Sequence, residues 1–280
     1  MPLRRFVQCD VFSPLPTQGN GLAVVVDAQG LDDARMQRFA AWTNLAETTF
    51  LLPPTDPTAD YRVRIFTPAR EMPFAGHPTL GSCAAWLHAG GVPREPGTVR
   101  QQCGIGIVRV DVSRPGQSAF DAPATELRPL DEAARTAIVS ALGIPDAAVV
   151  RTAELRNGPA WQVLELESAD AVLAVDASRV RWPAFRPIGL VGPHPPGSDR
   201  DLEVRMLAPS SGMSEDPITG SLNAALARWL HASGRLRRPL TIAQGTAIGR
   251  HGRVTVRPDG DAIWIGGHVH VLVDGTLALD

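Results

Sequence analysis

One segment of this chain occurs twice, and the repetition limits the folds available to it. The first copy reads Val63-Arg64-Ile65-Phe66-Thr67-Pro68, then a short loop, then His77-Pro78-Thr79 and a helical stretch closing with Trp86-Leu87-His88-Ala89-Gly90-Gly91. The second reads Val204-Arg205-Met206-Leu207-Ala208-Pro209, a loop, Asp216-Pro217-Ile218-Thr219 and a helix closing with Trp229-Leu230-His231-Ala232-Ser233-Gly234. The offset is 141 residues at the strand, 139 at the prolines and 143 at the helix end, which predicts a second helix four residues longer, about one turn. An offset near half of the 280-residue length points to duplication of one strand–loop–helix plan. That length suits two domains of ordinary size.

The turn-rich stretch 113–129 is the expected hinge. The reading is an N-terminal half over 1–115, rejoined by a last strand over 266–280, and a C-terminal half over 116–265. Strands are expected at 5–12, 22–27, 48–53, 60–67, 98–112, 161–167, 201–207, 253–257 and 262–273. Besides the repeated helices, Met36, Phe39, Ala40 and Thr43 give a helical stripe over 31–44. Ala134, Ala137, Ile138, Ala141 and Leu142 do the same over 131–142, with Gly143 as the stop.

Composition removes several classes of chemistry. All 27 basic residues are arginine. Without lysine there is neither a pyridoxal-phosphate Schiff base nor a standard Walker-A site. Gly104-Ile105-Gly106 lacks the third glycine and the following helix of a dinucleotide fingerprint. A net charge of −2 without long single-sign runs points to no nucleic-acid partner. There is no 18-residue apolar run and no signal-peptide core, so neither a membrane span nor export is expected. Three scattered cysteines fit a reducing compartment, and a cytoplasmic protein is expected.

The repeat places His77 and Asp216 in corresponding positions, each before a proline suited to a helix's first turn. A helix N-terminus offers unpaired N–H groups and partial positive charge, a setting for a carboxylate. Gly76 beside His77, and Gly220-Ser221 after Asp216, add small residues and a hydroxyl; Asp216, Thr219 and Ser221 also read as ordinary N-cap residues. Glu47 lies where an amphipathic helix hands over to a strand. A carboxylate there either points outward or has a raised pKa, able to take and return a proton. His268 and His270 share one strand face but lack a companion ligand at metal-site spacing. Cys83 reads as a small core residue. Gln244-Gly245 and Gly249-Arg250 are candidates to contact an anionic substrate, or an exposed turn and arginine.

Several segments together carry a family resemblance: Cys9-Asp10-Val11-Phe12, Gly19-Asn20, Asn44-Leu45-Ala46-Glu47-Thr48, Arg64-Ile65-Phe66-Thr67-Pro68, Pro73-Phe74-Ala75-Gly76-His77-Pro78-Thr79 and Glu215-Asp216-Pro217-Ile218-Thr219-Gly220-Ser221. In order and spacing they resemble the PhzF-like family of phenazine biosynthesis. The resemblance implies a diaminopimelate-epimerase-like α+β fold: two pseudo-symmetric halves, each a curved, mostly antiparallel sheet around a central helix, with the site in the cleft. It also implies a homodimer and a proton-transfer isomerase without metal or organic cofactor, acting on a small cyclic or conjugated carboxylic acid. In those terms Glu47, His77 and Asp216 are catalytic, with Glu47 the acid/base, and Asn20, Gly76, Gly220 and Ser221 bind substrate. Gly21, where proline is common in the family, and Arg250-His251-Gly252, in place of a usual Arg-Pro-Ser, depart from the pattern and bear on substrate identity. An epimerase or lyase of hydroxy- or amino-acids, and a non-catalytic small-acid binding protein, are the rival readings.

Overall fold

The computed structural model describes residues 2–210 and 213–279. The chain forms two compact units, one of residues 1–121 with 266–280 and one of 122–265. The chain crosses between them at Asp121–Ala122 and again within its last strand, at Ile265–Gly266.

In chain order the first unit comprises β1 (Leu3–Val11), β2 (Asn20–Val25), α1 (Asp33–Thr43), β3 (Glu47–Leu52), β4 (Tyr61–Phe66), β5 (Glu71–Met72), α2 (Gly76–His88), β6 (Thr98–Cys103), β7 (Gly106–Arg114) and β8 (Gln117–Asp121). The second comprises β9 (Glu126–Arg128), α3 (Glu132–Leu142), β10 (Val149–Arg156), β11 (Ala160–Leu166), α4 (Ala169–Leu173), β12 (Ile188–Pro193), β13 (Leu202–Leu207), β14 (Glu215–Asp216), α5 (Gly220–Ala232), β15 (Leu240–Gln244) and β16 (Gly252–Asp259). The final strand β17 (Ala262–Ala278) starts in the second unit, and its length from Val269 to Ala278 pairs antiparallel with β1.

The two units repeat one wiring. β1–β2, β3–β4 and β6–β7 are antiparallel, whereas β2–β3 and β4–β6 are parallel. In the second unit β10–β11, β12–β13 and β15–β16 are antiparallel, and β11–β12 and β13–β15 are parallel. A two-residue strand caps the far end of the corresponding longer strand in both, β5 on β4 and β14 on β13. The α+β class and the duplicated, mostly antiparallel plan agree with the sequence reading.

Each sheet curls round its own helix. α2 touches β1, β2, β3, β6 and β8 and is buried along nearly its whole first two turns. α5 touches β10 and β16, strands far apart in its sheet, and is buried from Gly220 to Ala227. Helices apolar all round belong in a core; Gly, Ala and Ser let the strands come close. A Cβ on Gly81 would stand 2.5 Å from Leu22 Cδ2. On the outer face of the first sheet, α1 packs over Phe50 and Phe66; on the second, α3 and α4 cover Leu164, Ile188 and Leu190. α1 starts on the Asp32 carboxylate, which accepts from Arg35 N, and stops at Asn44 in the left-handed region; α3 stops at Gly143 in the same way. Among the described residues no helix is long and apolar enough to cross a membrane.

Three expectations need correction. The repeated helices are equal, 13 residues each. The extra residues lie in the connection before β14, three longer than the one before β5. Aligned by structure, therefore, Gly76 matches Gly220 and His77 matches Ser221, while Asp216 matches Met72. Pro78 is inside the first turn of its helix and Pro217 precedes the other. The single strand expected at 98–112 is a hairpin, β6 and β7, turning at Gly104-Ile105.

Candidate active site

In the first unit, the left-handed Asn44 ends α1 and three residues later β3 opens at Glu47, opposite Leu22 of β2. That placement leaves the Glu47 side chain 17% exposed. Its Oε2 stands 3.4 Å from Nε2 of His77, whose ring is buried. The two residues come from elements 30 positions apart in sequence, yet the β2–β3–α2 packing sets them against each other.

His77 is the second residue of α2. The N-cap, Ala75, has no side chain able to cap, and Pro78 brings no N–H, so the first-turn donors are the backbone groups of Gly76 and His77. A buried polar chain fixes this turn. Tyr61 Oη donates to Gln101 Oε1 (2.6 Å), Gln101 Nε2 donates to Thr79 Oγ1 (3.1 Å), and Thr79 Oγ1 donates to the Ala75 carbonyl (2.9 Å).

The protonation of His77 follows from its surroundings. Burial pushes its pKa from 6.5 down to about 3, because a charged imidazole loses its hydration there. The Glu47 carboxylate acts in the opposite sense; with the ring buried, desolvation is the larger effect. The Asn20 amide nitrogen lies 3.2 Å from Nδ1. An amide N–H can only donate, so Nδ1 accepts, and the neutral ring carries its proton on Nε2, facing Glu47. Asn20, expected among the substrate-binding residues, thus engages the His77 ring.

In the second unit, Asp216 lies on β14 opposite Met206, 5% exposed. Thr219, the N-cap of α5, does not cap its helix, because its hydroxyl donates to Asp216 Oδ2 in a short hydrogen bond. Gln244 ties this corner together. Its Oε1 accepts from Thr219 N (3.0 Å) and Asn223 Nδ2 (2.8 Å), and its Nε2 donates to Thr219 Oγ1 (3.0 Å). Fully buried and so committed, Gln244 is a structural anchor and not the substrate contact that the sequence had suggested. Gly220 and Ser221 open α5 with no side-chain cap. Asn157 Nδ2 donates to the Ser221 carbonyl (2.7 Å). Gln101 and Asn157 were missed in sequence because their partners lie 22 and 64 residues away.

The remaining candidates have other occupations. His270 Nε2 donates to the Ser13 carbonyl (2.9 Å), and His268 Nε2 accepts from Gln117 Nε2 (2.9 Å). Among the described residues no group of three or more His, Cys, Asp or Glu side chains is arranged to hold a metal ion. Burial pushes the Cys9 thiol up to about 12 and Cys83 further, which makes both poor sources of thiolate.

Two curled α/β units of this wiring, each built round a buried helix, form a fold that recurs in racemases and isomerases. A family model described as phenazine biosynthesis-like protein, PhzC-PhzF, matches residues 9–276, and the chain belongs to that family. It is 33% identical over 266 residues to the trans-2,3-dihydro-3-hydroxyanthranilate isomerase of Pseudomonas fluorescens, covering 93% of this chain and 92% of that one. Among solved structures it resembles a PhzF-family protein of Bacillus anthracis, with a TM-score of 0.81 at 21% identity and full coverage of both chains. It also resembles a probable proline racemase of Agrobacterium radiobacter, with a TM-score of 0.68 at 14% identity over 99% of this chain and 93% of that one, a likeness of fold. In class the protein is an isomerase.

Proposed function

We propose that the chain isomerises a small cyclic or conjugated carboxylic acid by moving a proton, with Glu47 as the group that takes and returns it. The observation that supports this reading most is the Glu47–His77 pair, 3.4 Å apart at an uncapped helix start. An ionised Glu47 accepts a carbon-bound proton. A neutral His77 directs Nε2–H at the carboxylate or at a substrate atom, without the electrostatic cost of a second charge in a buried place. Positioned general acid/base catalysis of this kind gives roughly 10²–10⁴ in rate. The reading extends to Asp216, Gly220 and Ser221 as holders of a substrate carboxylate and its polar substituents, and to Gly76 as a backbone donor. A helix N-terminus suits an anion, and in α5 the Thr219 hydroxyl is turned away from capping it. The steps need no metal or organic cofactor.

Because a relative of similar length is a trans-2,3-dihydro-3-hydroxyanthranilate isomerase, that compound is the first substrate to try. The experiment is incubation in deuterated water with wild type and Glu47→Gln, following deuterium entry and product by mass spectrometry and NMR. The expectation is exchange in wild type and its loss in a folded variant. Full activity of Glu47→Gln ends the assignment, and tight binding without exchange at any pH replaces it with a binding protein.

A further inference from the structure

We propose that the outer face of the first unit carries a second small-molecule site, a groove over β4 that binds a small organic carboxylate through Arg62. The groove lies where the sheet splits. Tyr61 and Arg62 at the start of β4 pair with Gln101 and Gln102 of β6, while Ile65 and Phe66 at its end pair with Met72 and Glu71 of β5. Over the unmatched middle of β4 is an open cavity of about 540 Å³. Besides Arg62 and Arg64 it is lined by Thr55, Gln102, Met72, Pro73 and Cys103.

The walls are held in place without any occupant. Gln102 Oε1 accepts from Thr55 N (2.8 Å) and Asp56 N (3.2 Å), and its Nε2 donates to Thr55 Oγ1 (2.7 Å). The β6–β7 turn lies against β5's continuation: a Cβ on Gly104 would stand 2.7 Å from Pro73 Cα. Two guanidinium groups line the groove, in different states. Arg64 is neutralised by Glu71 and Asp33, both at 2.6 Å. The half-buried Arg62 guanidinium has neither ion pair nor hydrogen bond among the described residues.

The duplication supplies an internal comparison. The position matching Arg62 in the second unit is Glu203, which is fully buried and pairs with His194 Nε2 at 3.0 Å. Beside it Arg205 donates to the carbonyls of Val172 (3.1 Å) and Val175 (2.6 Å) at the end of α4. The second unit therefore closes this face with its own groups. The first leaves it open, with an arginine in place of a buried glutamate. A single unpaired arginine beside methionine, proline and thiol surfaces suits a monoanion with a flat apolar body: an aromatic or unsaturated carboxylate. The carboxylate would take the two-pronged hydrogen bonding that guanidinium offers.

The test uses the isotope-labelled full chain with benzoate as probe and benzamide as its uncharged counterpart. Benzoate should give saturable NMR shifts at the Arg62 side-chain N–H and at the amides of Met72 and Gly104; benzamide should not. Loss of a charge-assisted pair in Arg62→Gln should weaken benzoate about ten- to a hundredfold. Thr55→Trp, which fills the groove and keeps the charge, should do the same, with the remaining spectrum of each variant showing the fold intact. Glu47→Gln should leave these shifts unchanged, which separates the groove from the proposed active site. Absence of saturable shifts at these positions, shifts confined to Gly76 and His77, an equal response to benzamide, or wild-type affinity in Arg62→Gln overturns the proposal.

Discussion

Arg205 and Glu215 form a buried two-pronged ion pair, Nη2 to Oε2 at 2.6 Å and Nε to both oxygens at 3.1 Å, and it is the copy of Arg64 with Glu71 in the other unit. In each unit the arginine comes from the longer strand, β4 or β13, and the glutamate from the two-residue strand after it, so the pair clips the short strand to the sheet. Exposure separates them: side chains 4% and 0% exposed in the second unit, 16% and 43% in the first. Removing one partner of a buried pair strands the other, at about 3–5 kcal/mol, while an exposed pair is worth about 1 kcal/mol or less. Glu215→Ala should therefore lower stability several times more than Glu71→Ala in urea unfolding. Equal losses would show that burial does not set the value of the clip.

His77 ties stability to acid. Its imidazole titrates near 6.5 in an unfolded chain and near 3 in the buried site. Between those values the unfolded chain binds a proton that the folded one refuses, so stability falls as pH falls, by up to about 1.4 kcal/mol per unit. The Glu47 carboxylate narrows the window from its lower end by favouring the charged ring. His77→Asn removes this contribution: its stability deficit against wild type should shrink as pH drops from 6.5 towards about 4. A deficit constant across that range would mean that the ring is not held neutral.

Asn20 should act through the ring that it touches. Its amide, 3.2 Å from Nδ1, selects the tautomer that presents Nε2–H to Glu47. Nitrogen NMR of the His77 ring should show Nε2 protonated in wild type, and a mixture of tautomers in Asn20→Ala. With a neutral hydrogen bond worth about 1 kcal/mol, turnover should fall about fivefold, mostly in kcat, and Asn20→Gln should not restore it. An unchanged tautomer in Asn20→Ala would mean that the ring is oriented by other groups.

The repeat was legible because hydrophobic strands and helix endings survive as sequence patterns. The mistake lay in matching proline to proline: Pro78 and Pro217 serve different local needs, one inside a helix turn and one before it. Only the packed helices show that His77 answers to Ser221. The hairpin at Gly104-Ile105 was hidden between two stretches that both read as strand, Thr98–Cys103 and Gly106–Arg114. β12 was missed because Gly189 and Gly192 interrupt Ile188-Gly-Leu-Val, and both glycines exist for close packing, against Leu222 and Ser168 respectively. The Glu47 and His77 motifs could be read in advance. The charge state of His77 could not, since it depends on burial and on an asparagine 57 residues away.

Those glycines give a graded test of close packing. A Cβ on Gly81, within α2, would press on Leu22 Cδ2 at 2.5 Å and Val11 Cγ2 at 3.1 Å, both side-chain methyl groups and not backbone. Alanine also favours a helix over glycine by up to about 1 kcal/mol, which offsets part of the crowding. A Cβ on Gly192 would instead meet the backbone carbonyl of Ser168, the same oxygen that accepts the Val172 N–H at the start of α4. That carbonyl cannot move without loosening the helix that covers Arg205. Gly192 lies in a strand, so alanine gains no helical preference there. Overpacking of a rigid neighbour costs about 1–3 kcal/mol or more. Gly192→Ala should therefore lose more stability in urea unfolding than Gly81→Ala. The opposite order would mean that the contact between β12 and α4 yields more easily than that between α2 and β2.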